Sequence, residues 1–220
     1  METINYILVN WPLIVSRTGE HLSIVGVAVG LAILTGVPIG IAIAENKRAA
    51  AAVLYVASII ITIPSIALFG IMIPVLSLIG QGIGYLPAVV AVLLYAQLPI
   101  IRNTYTAITN VDPALREAAR GMGLTRLQRL REVELPIAVP VIMSGVRVAV
   151  VMNIGVTAIA AYIGAGGLGA FISRGISQTD PRQLVTGALA VSVLAVVSDF
   201  ALLIIQHRFT SPGLREARAA

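Results

Sequence analysis

Hydrophobic residues arrive in long blocks along this chain, and polar residues gather between them. Residues 21 to 44 contain no Asp, Glu, Lys or Arg. At about 1.5 Å of rise per residue such a block crosses a hydrocarbon layer of about 30 Å with some tilt, and it predicts a first membrane span. Residues 49 to 101 are equally free of those charges, yet one helix of that length would measure roughly 80 Å. The block has to turn back, and Gly80-Gln81-Gly82-Ile83-Gly84 supplies the turn. This predicts a second span over about 50–79, kinked or broken at Pro64 and Pro74, and a third over about 85–101. Residues 137–163, interrupted only by Arg147, and 183–206, interrupted only by Asp199, predict spans four and five. The expected fold is all-α, a polytopic membrane protein with about five transmembrane helices in a single domain over 1–220. Ile4, Ile7, Leu8 and Trp11 share a helical face, so residues 3–15 read as an interfacial helix on the outer surface, with a short sixth span as the alternative.

Composition points the same way. The chain is 58% hydrophobic and 11% charged with a mean hydropathy of +0.95, whereas soluble domains carry about a quarter charged residues. The net charge of +5 does not make a nucleic-acid binder, because the basic residues are dispersed between apolar runs. Their placement does set an orientation. Lys47, Arg48, Arg102, Arg116, Arg120, Arg126, Arg129, Arg131, Arg208, Arg215 and Arg218 fall on one side of the parse; Arg17, Arg174 and Arg182 fall on the other. The positive-inside rule then puts the N-terminus outside and the C-terminus in the cytoplasm. METINYILVNW lacks the basic start and small-residue cleavage site of a secretory signal, which predicts an uncleaved N-terminus. The absence of cysteine removes disulfides and thiol chemistry, and His21 and His207 are too far apart in sequence to suggest a metal site.

The one long polar stretch, residues 103–136, carries readable helix punctuation. Asp112 is a predicted N-cap with Pro113 in the first helical position. The helix should stop at Gly121 or Gly123, where a residue without Cβ adopts a left-handed conformation. Thr125 and Gln128 match a capping box that starts a second helix, and Pro136 is expected to end it. A helix-turn-helix DNA reader fits the turn and the arginines, but its helices would be tethered to two membrane spans. A merely solvated basic loop explains the arginines and leaves the punctuation unexplained. A rigid docking element explains both, with Leu115, Ala118, Ala119 and Met122 as an apolar stripe for a partner.

The loop also reads Glu117-Ala118-Ala119, then Gly123, then Val133, Leu135 and Pro136. This resembles the signature of permease subunits of binding-protein-dependent ABC importers, E-A-A, Gly four residues on, then I-x-L-P, with Val133 in place of Ile. The resemblance runs from about His21 to Arg208 and implies the type I importer permease fold. The stretches TIPSIALFGIMIP, LPIIRNTYTAITNVDPALREAARGMG and AAYIGAGGLGAFISRGI are most similar to permeases for glycine betaine, choline or carnitine. Methionine permeases look partly alike around GAGGLG. The resemblance implies that Glu117, Ala118, Ala119, Gly123, Leu135 and Pro136 belong to a loop coupled to an ATPase dimer. It further implies a second permease subunit, identical or homologous, an external substrate-binding protein, and a bacterial cytoplasmic membrane. ATP and Mg would be used by the ATPase, with no cofactor or metal on this chain and no catalysis by it.

Other motifs need weighing. Gly164, Gly166 and Gly169 fit G-x-G-x-x-G, but a membrane helix precedes them where a dinucleotide site needs a strand, so they predict a glycine-rich re-entrant turn or tight outer loop. The only lysine, Lys47, lies between Asn46 and Arg48, so no P-loop exists. Arg147 and Asp199 each cost about 2.5–3.5 kcal/mol at a helix centre on insertion scales. They either line a substrate route or compensate by pairing with one another, Arg147 having also the option of reaching the interface. Gly26 with Gly30, and Gly36 with Gly40, have the spacing of close helix packing. A gradient-driven secondary transporter would carry intramembrane carboxylates or an internal repeat, and only Asp199 fits.

Overall fold

A computed structural model describes residues 2–209, and every regular element in that range is helical. In chain order these are α1 (Glu2–Val9), α2 (Trp11–Ile43), α3 (Lys47–Thr62), α4 (Ser65–Ser77), α5 (Tyr85–Thr109), α6 (Pro113–Gly121) and α7 (Arg126–Arg129). A π-turn, Leu130–Glu134, leads into α8 (Leu135–Ile159), and a 3-10 turn, Ala160–Ile163, ends it. Two further helices, α9 (Gly169–Ser177) and α10 (Pro181–Phe209), follow. Arg215 and Arg218, counted above on the basic side, and the tail beyond residue 209 lie outside the described residues. Four helical runs are long and apolar enough to cross a membrane, and the α3–α4 pair makes up to five.

The first span is longer than its charge-free block. α2 has 33 residues, about 50 Å of helix, and its N-terminal extension carries Arg17 and Glu20. These pair at 2.7 Å one turn apart, and Glu20 Oε2 also accepts the Gly167 amide N–H at 2.8 Å. The expected interfacial helix over 3–15 is accordingly divided: α1 packs against α10, and Trp11 opens α2.

The second block turns back as its length requires. α3 and α4 meet at a 99° bend, where Ile63 is extended ahead of Pro64, as the residue before proline prefers. Pro74 instead lies inside α4. α5 continues past the expected end at residue 101, so Arg102 sits within the helix, where its Nη2 donates to Ser58 Oγ at 3.2 Å.

α5 is the centre of the bundle. Ala88, Val92, Ala96 and Ile100 are fully buried on it, between α2 and α8. The approach on both sides depends on missing side chains: a Cβ at Gly40 of α2 would stand 2.6 Å from Thr104 Cβ, and one at Gly145 of α8 2.8 Å from the Pro99 carbonyl oxygen. Gly36 and Gly40 thus make the packing that their spacing predicts. Gly26 and Gly30 do not; a Cβ at either would meet open space.

Pro136 does not end a helix, contrary to the sequence expectation. The chain is helical from Arg126 to Ile163. Proline brings no N–H and crowds the carbonyl one turn back. The π-turn accommodates this by widening the hydrogen bond, with the Leu135 N–H donating to the Leu130 carbonyl.

Contacts sort the helix termini into two ends of the bundle. At one, the Gly84 N–H donates to the Ile163 carbonyl at 2.9 Å, beside the Glu20–Gly167 bond. At the other, Glu45 after α2 and Ile108 of α5 meet the 116–134 segment. The second end is the basic one.

Candidate functional site: a capped elbow and its ion pairs

The 103–136 segment folds where its punctuation places the turns. Asp112 Oδ1 accepts the Ala114 N–H at 2.8 Å, starting α6 with Pro113 first. At the other end of α6, the Gly123 N–H donates to the Arg120 carbonyl and the Leu124 N–H to the Ala119 carbonyl, the paired pattern of a Schellman close. Gly123 has φ +80°, a conformation in which a Cβ is strained. Two residues later the Thr125–Gln128 capping box is complete and α7 begins. Two helices are therefore held at an elbow by backbone chemistry local to residues 112–128.

The six loop residues of the signature do different structural jobs. Glu117, Ala118 and Gly123 face outward, as do Leu115, Met122 and Leu127, whose exposures of 45%, 71% and 54% leave an apolar surface on the elbow. Ala119 departs from the predicted stripe: it is 1% exposed and packs inward. Leu135 packs with Ala107, Ile108, Ala138 and Ile142, while Pro136 is exposed at the start of α8.

A set of ion pairs lies under the elbow. Glu134, on the π-turn and buried, accepts from Arg129 Nε at 2.9 Å and has Arg116 Nε at 3.3 Å. Arg116 Nη2 donates to the Ile108 carbonyl at the end of α5. Glu45, just past α2, pairs with Arg126 at 2.7 Å and with Arg129 at 3.4 Å. These groups enclose a cavity of about 50 Å³. Sequence reasoning assigned the arginines to positive-inside bias and overlooked Glu45 and Glu134; the available signal was a carboxylate at the edge of an apolar run, Glu45 just after the first and Glu134 just before the fourth, unusual in so acid-poor a chain.

Arg147 and Asp199 come together. Arg147 Nε and Nη2 donate to the two carboxylate oxygens of Asp199 at 3.0 and 2.9 Å, and its Nη1 donates to Gln206 Oε1 at 3.1 Å. Beside them, Ser144, Val148, Val151 and Met152 line an open recess of about 440 Å³. The glycine-rich stretch forms a tight turn: Gly164, Gly166 and Gly167 have positive φ, and α9 folds back so that Gly169 meets the Ala158 carbonyl. A second Asp-Pro helix start, at Asp180-Pro181, escaped the sequence reading. Asp180 Oδ1 accepts the Arg182 N–H at 3.0 Å, and the Arg182 guanidinium holds the Asp180 carboxyl down at about 2.

Residues 36–211 match the family described as binding-protein-dependent transport system inner membrane component. The chain is 56% identical to the osmoprotectant import permease protein OsmW of Salmonella typhimurium over 215 residues, covering 98% of this chain and 100% of that protein. It is 39% identical to the glycine betaine/carnitine/choline transport system permease protein OpuCB of Bacillus subtilis over 199 residues, covering 90% of this chain and 89% of that one. Among solved structures, an inward-facing MetNI methionine ABC transporter superposes with a TM-score of 0.83 at 26% identity, over 92% of this chain and 98% of the other. With its all-helical, multi-span bundle and its EAA-type elbow, the chain belongs to the inner-membrane components of binding-protein-dependent ABC transport systems.

Proposed function

We propose that this chain is the membrane-spanning subunit of an ATP-driven importer for quaternary ammonium osmolytes such as glycine betaine, choline or carnitine. The structural observation that carries the transport mechanism is the elbow: a capped two-helix unit, exposed at the basic end, with Glu117, Ala118, Met122 and Leu127 facing outward. It is suited to a cleft on a cytoplasmic ATPase dimer. The Lys/Arg asymmetry supports a reading in which that end is cytoplasmic and the N-terminus and the Gly164 turn are outside. ATP and Mg are used by the ATPase, and this chain takes no catalytic part. ATPase closure displaces the elbow, and the spans turn from inward-facing to outward-facing to receive substrate from an external binding protein. The route runs between two permease subunits, identical or homologous. Arg147 and Asp199 are candidates for its wall, because a partly exposed ion pair is better matched to water or protein than to lipid.

The identity to OsmW favours an osmolyte over methionine, since the methionine transporter shares less than half as much identity. Co-purification tests the assembly. The tagged chain should bring down an ATPase from membranes of its own cell, and Met122→Asp with Leu127→Asp should release it; recovery of no ATPase by the intact chain contradicts the proposal.

A further inference from the structure

We propose that Glu134 is a positioning residue that makes the elbow one rigid body with α2, α5 and α8, and so sets how much transport each ATP yields. The inference rests on the reading of the elbow as the ATPase contact. Its own evidence is the convergence at one carboxylate. Glu134 is 5% exposed, accepts a hydrogen bond from Arg129 of α7, and has the Arg116 guanidinium of α6 beside it at 3.3 Å as a charge contact. Each arginine then reaches a different transmembrane helix: Arg116 the last turn of α5 through the Ile108 carbonyl, and Arg129 the end of α2 through Glu45.

Stability alone is a poor reason for this arrangement, because burying an ion pair costs as much solvation as the pairing returns. Fixing one arrangement of helices is a better one. α6 joins α7 through the positive-φ turn at Gly123, a natural pivot. Without the carboxylate, α6 is held to the bundle chiefly by Ala119 and Arg116's bond to α5, and a push on its outer face rotates it instead of displacing the spans. Glu134 also sits on the π-turn, so the same residue ties the elbow to the start of α8.

The test uses the complete importer in vesicles, with Glu134→Gln, Glu134→Asp and Glu45→Gln. Membrane abundance, ATPase co-purification, ATP hydrolysis and uptake are measured for each. Uptake per ATP should fall about tenfold for Glu134→Gln, the scale of one charge-assisted hydrogen bond, with partial recovery in Glu134→Asp. Glu45→Gln, at a half-exposed site where losing a pair costs little stability, should lower the ratio about two- to threefold, in line with an exposed pair. A purely structural residue would lower abundance and co-purification and leave the ratio unchanged. If Glu134→Gln is lost from the membrane, Glu45→Gln decides. Wild-type uptake with an unchanged ratio in the surviving variants overturns the clamp alone; a wild-type assembly without ATP-driven uptake overturns the function beneath it.

Discussion

Arg147 and Asp199 face each other from α8 and α10 as a two-pronged pair, Nε to one carboxylate oxygen at 3.0 Å and Nη2 to the other at 2.9 Å. Neither charge is isolated in the apolar helix that carries it. Removing one leaves the other without its counter-charge, a cost of up to about 2.5–3.5 kcal/mol near a helix centre that Gln206 offsets in part for Arg147. Arg147→Leu and Asp199→Leu should each lower thermal stability in detergent, and the double substitution should be milder than either. Additive losses in the double variant would mean that the two charges do not act as a pair.

Gly40 and Gly30 lie on the same helix and differ in what surrounds them. A Cβ at Gly40 collides with Thr104, whereas one at Gly30 meets nothing within 4 Å. Gly40→Val should destabilise the bundle by about 1–3 kcal/mol, the usual cost of overpacking, and Gly30→Val by much less. Equal unfolding temperatures for the two variants would contradict the packing of α2 on α5.

Charge-free length made the main spans legible in the sequence, and local capping chemistry made the elbow legible. Asp112, Gly123 and Thr125 act on backbone groups a few residues away, so their roles can be read from spacing. What escaped was tertiary. Arg17 and Glu20 stopped the predicted first span, yet they are accommodated because Glu20 meets Gly167, 147 residues away. Pro136 reads as a helix end because the residue before proline avoids the α region, and the Leu130–Glu134 π-turn carries the helix through it. Glu134 carries no local signal of its role, because its partners come from separate helices.

The proposed topology puts the elbow and the α9 region on opposite sides of the membrane. The chain contains no cysteine, so Thr125→Cys and Ser177→Cys provide unique labels. An impermeant thiol reagent applied outside should modify the second only, and inside-out vesicles should reverse the pattern. Modification of both from outside would falsify the assignment.

Gly123 is where the elbow bends. Its φ of +80° strains any residue with a side chain, though no neighbour fills the space beside it. Gly123→Leu and Gly123→Ala should both reach the membrane, because the turn is outside the bundle. Uptake should fall much further than abundance, with backbone strain common to both variants and the bulkier side chain adding to the loss in leucine. Normal uptake by the leucine variant removes the turn from the coupling pathway.

Direct transport is the decisive measurement. Vesicles holding this chain with its ATPase and its binding protein should take up labelled glycine betaine, choline or carnitine when ATP and Mg are supplied on the ATPase side, and methionine should not be carried. Uptake driven by an ion gradient without ATP, or ATP-driven uptake of methionine with none of the three amines, would contradict the account.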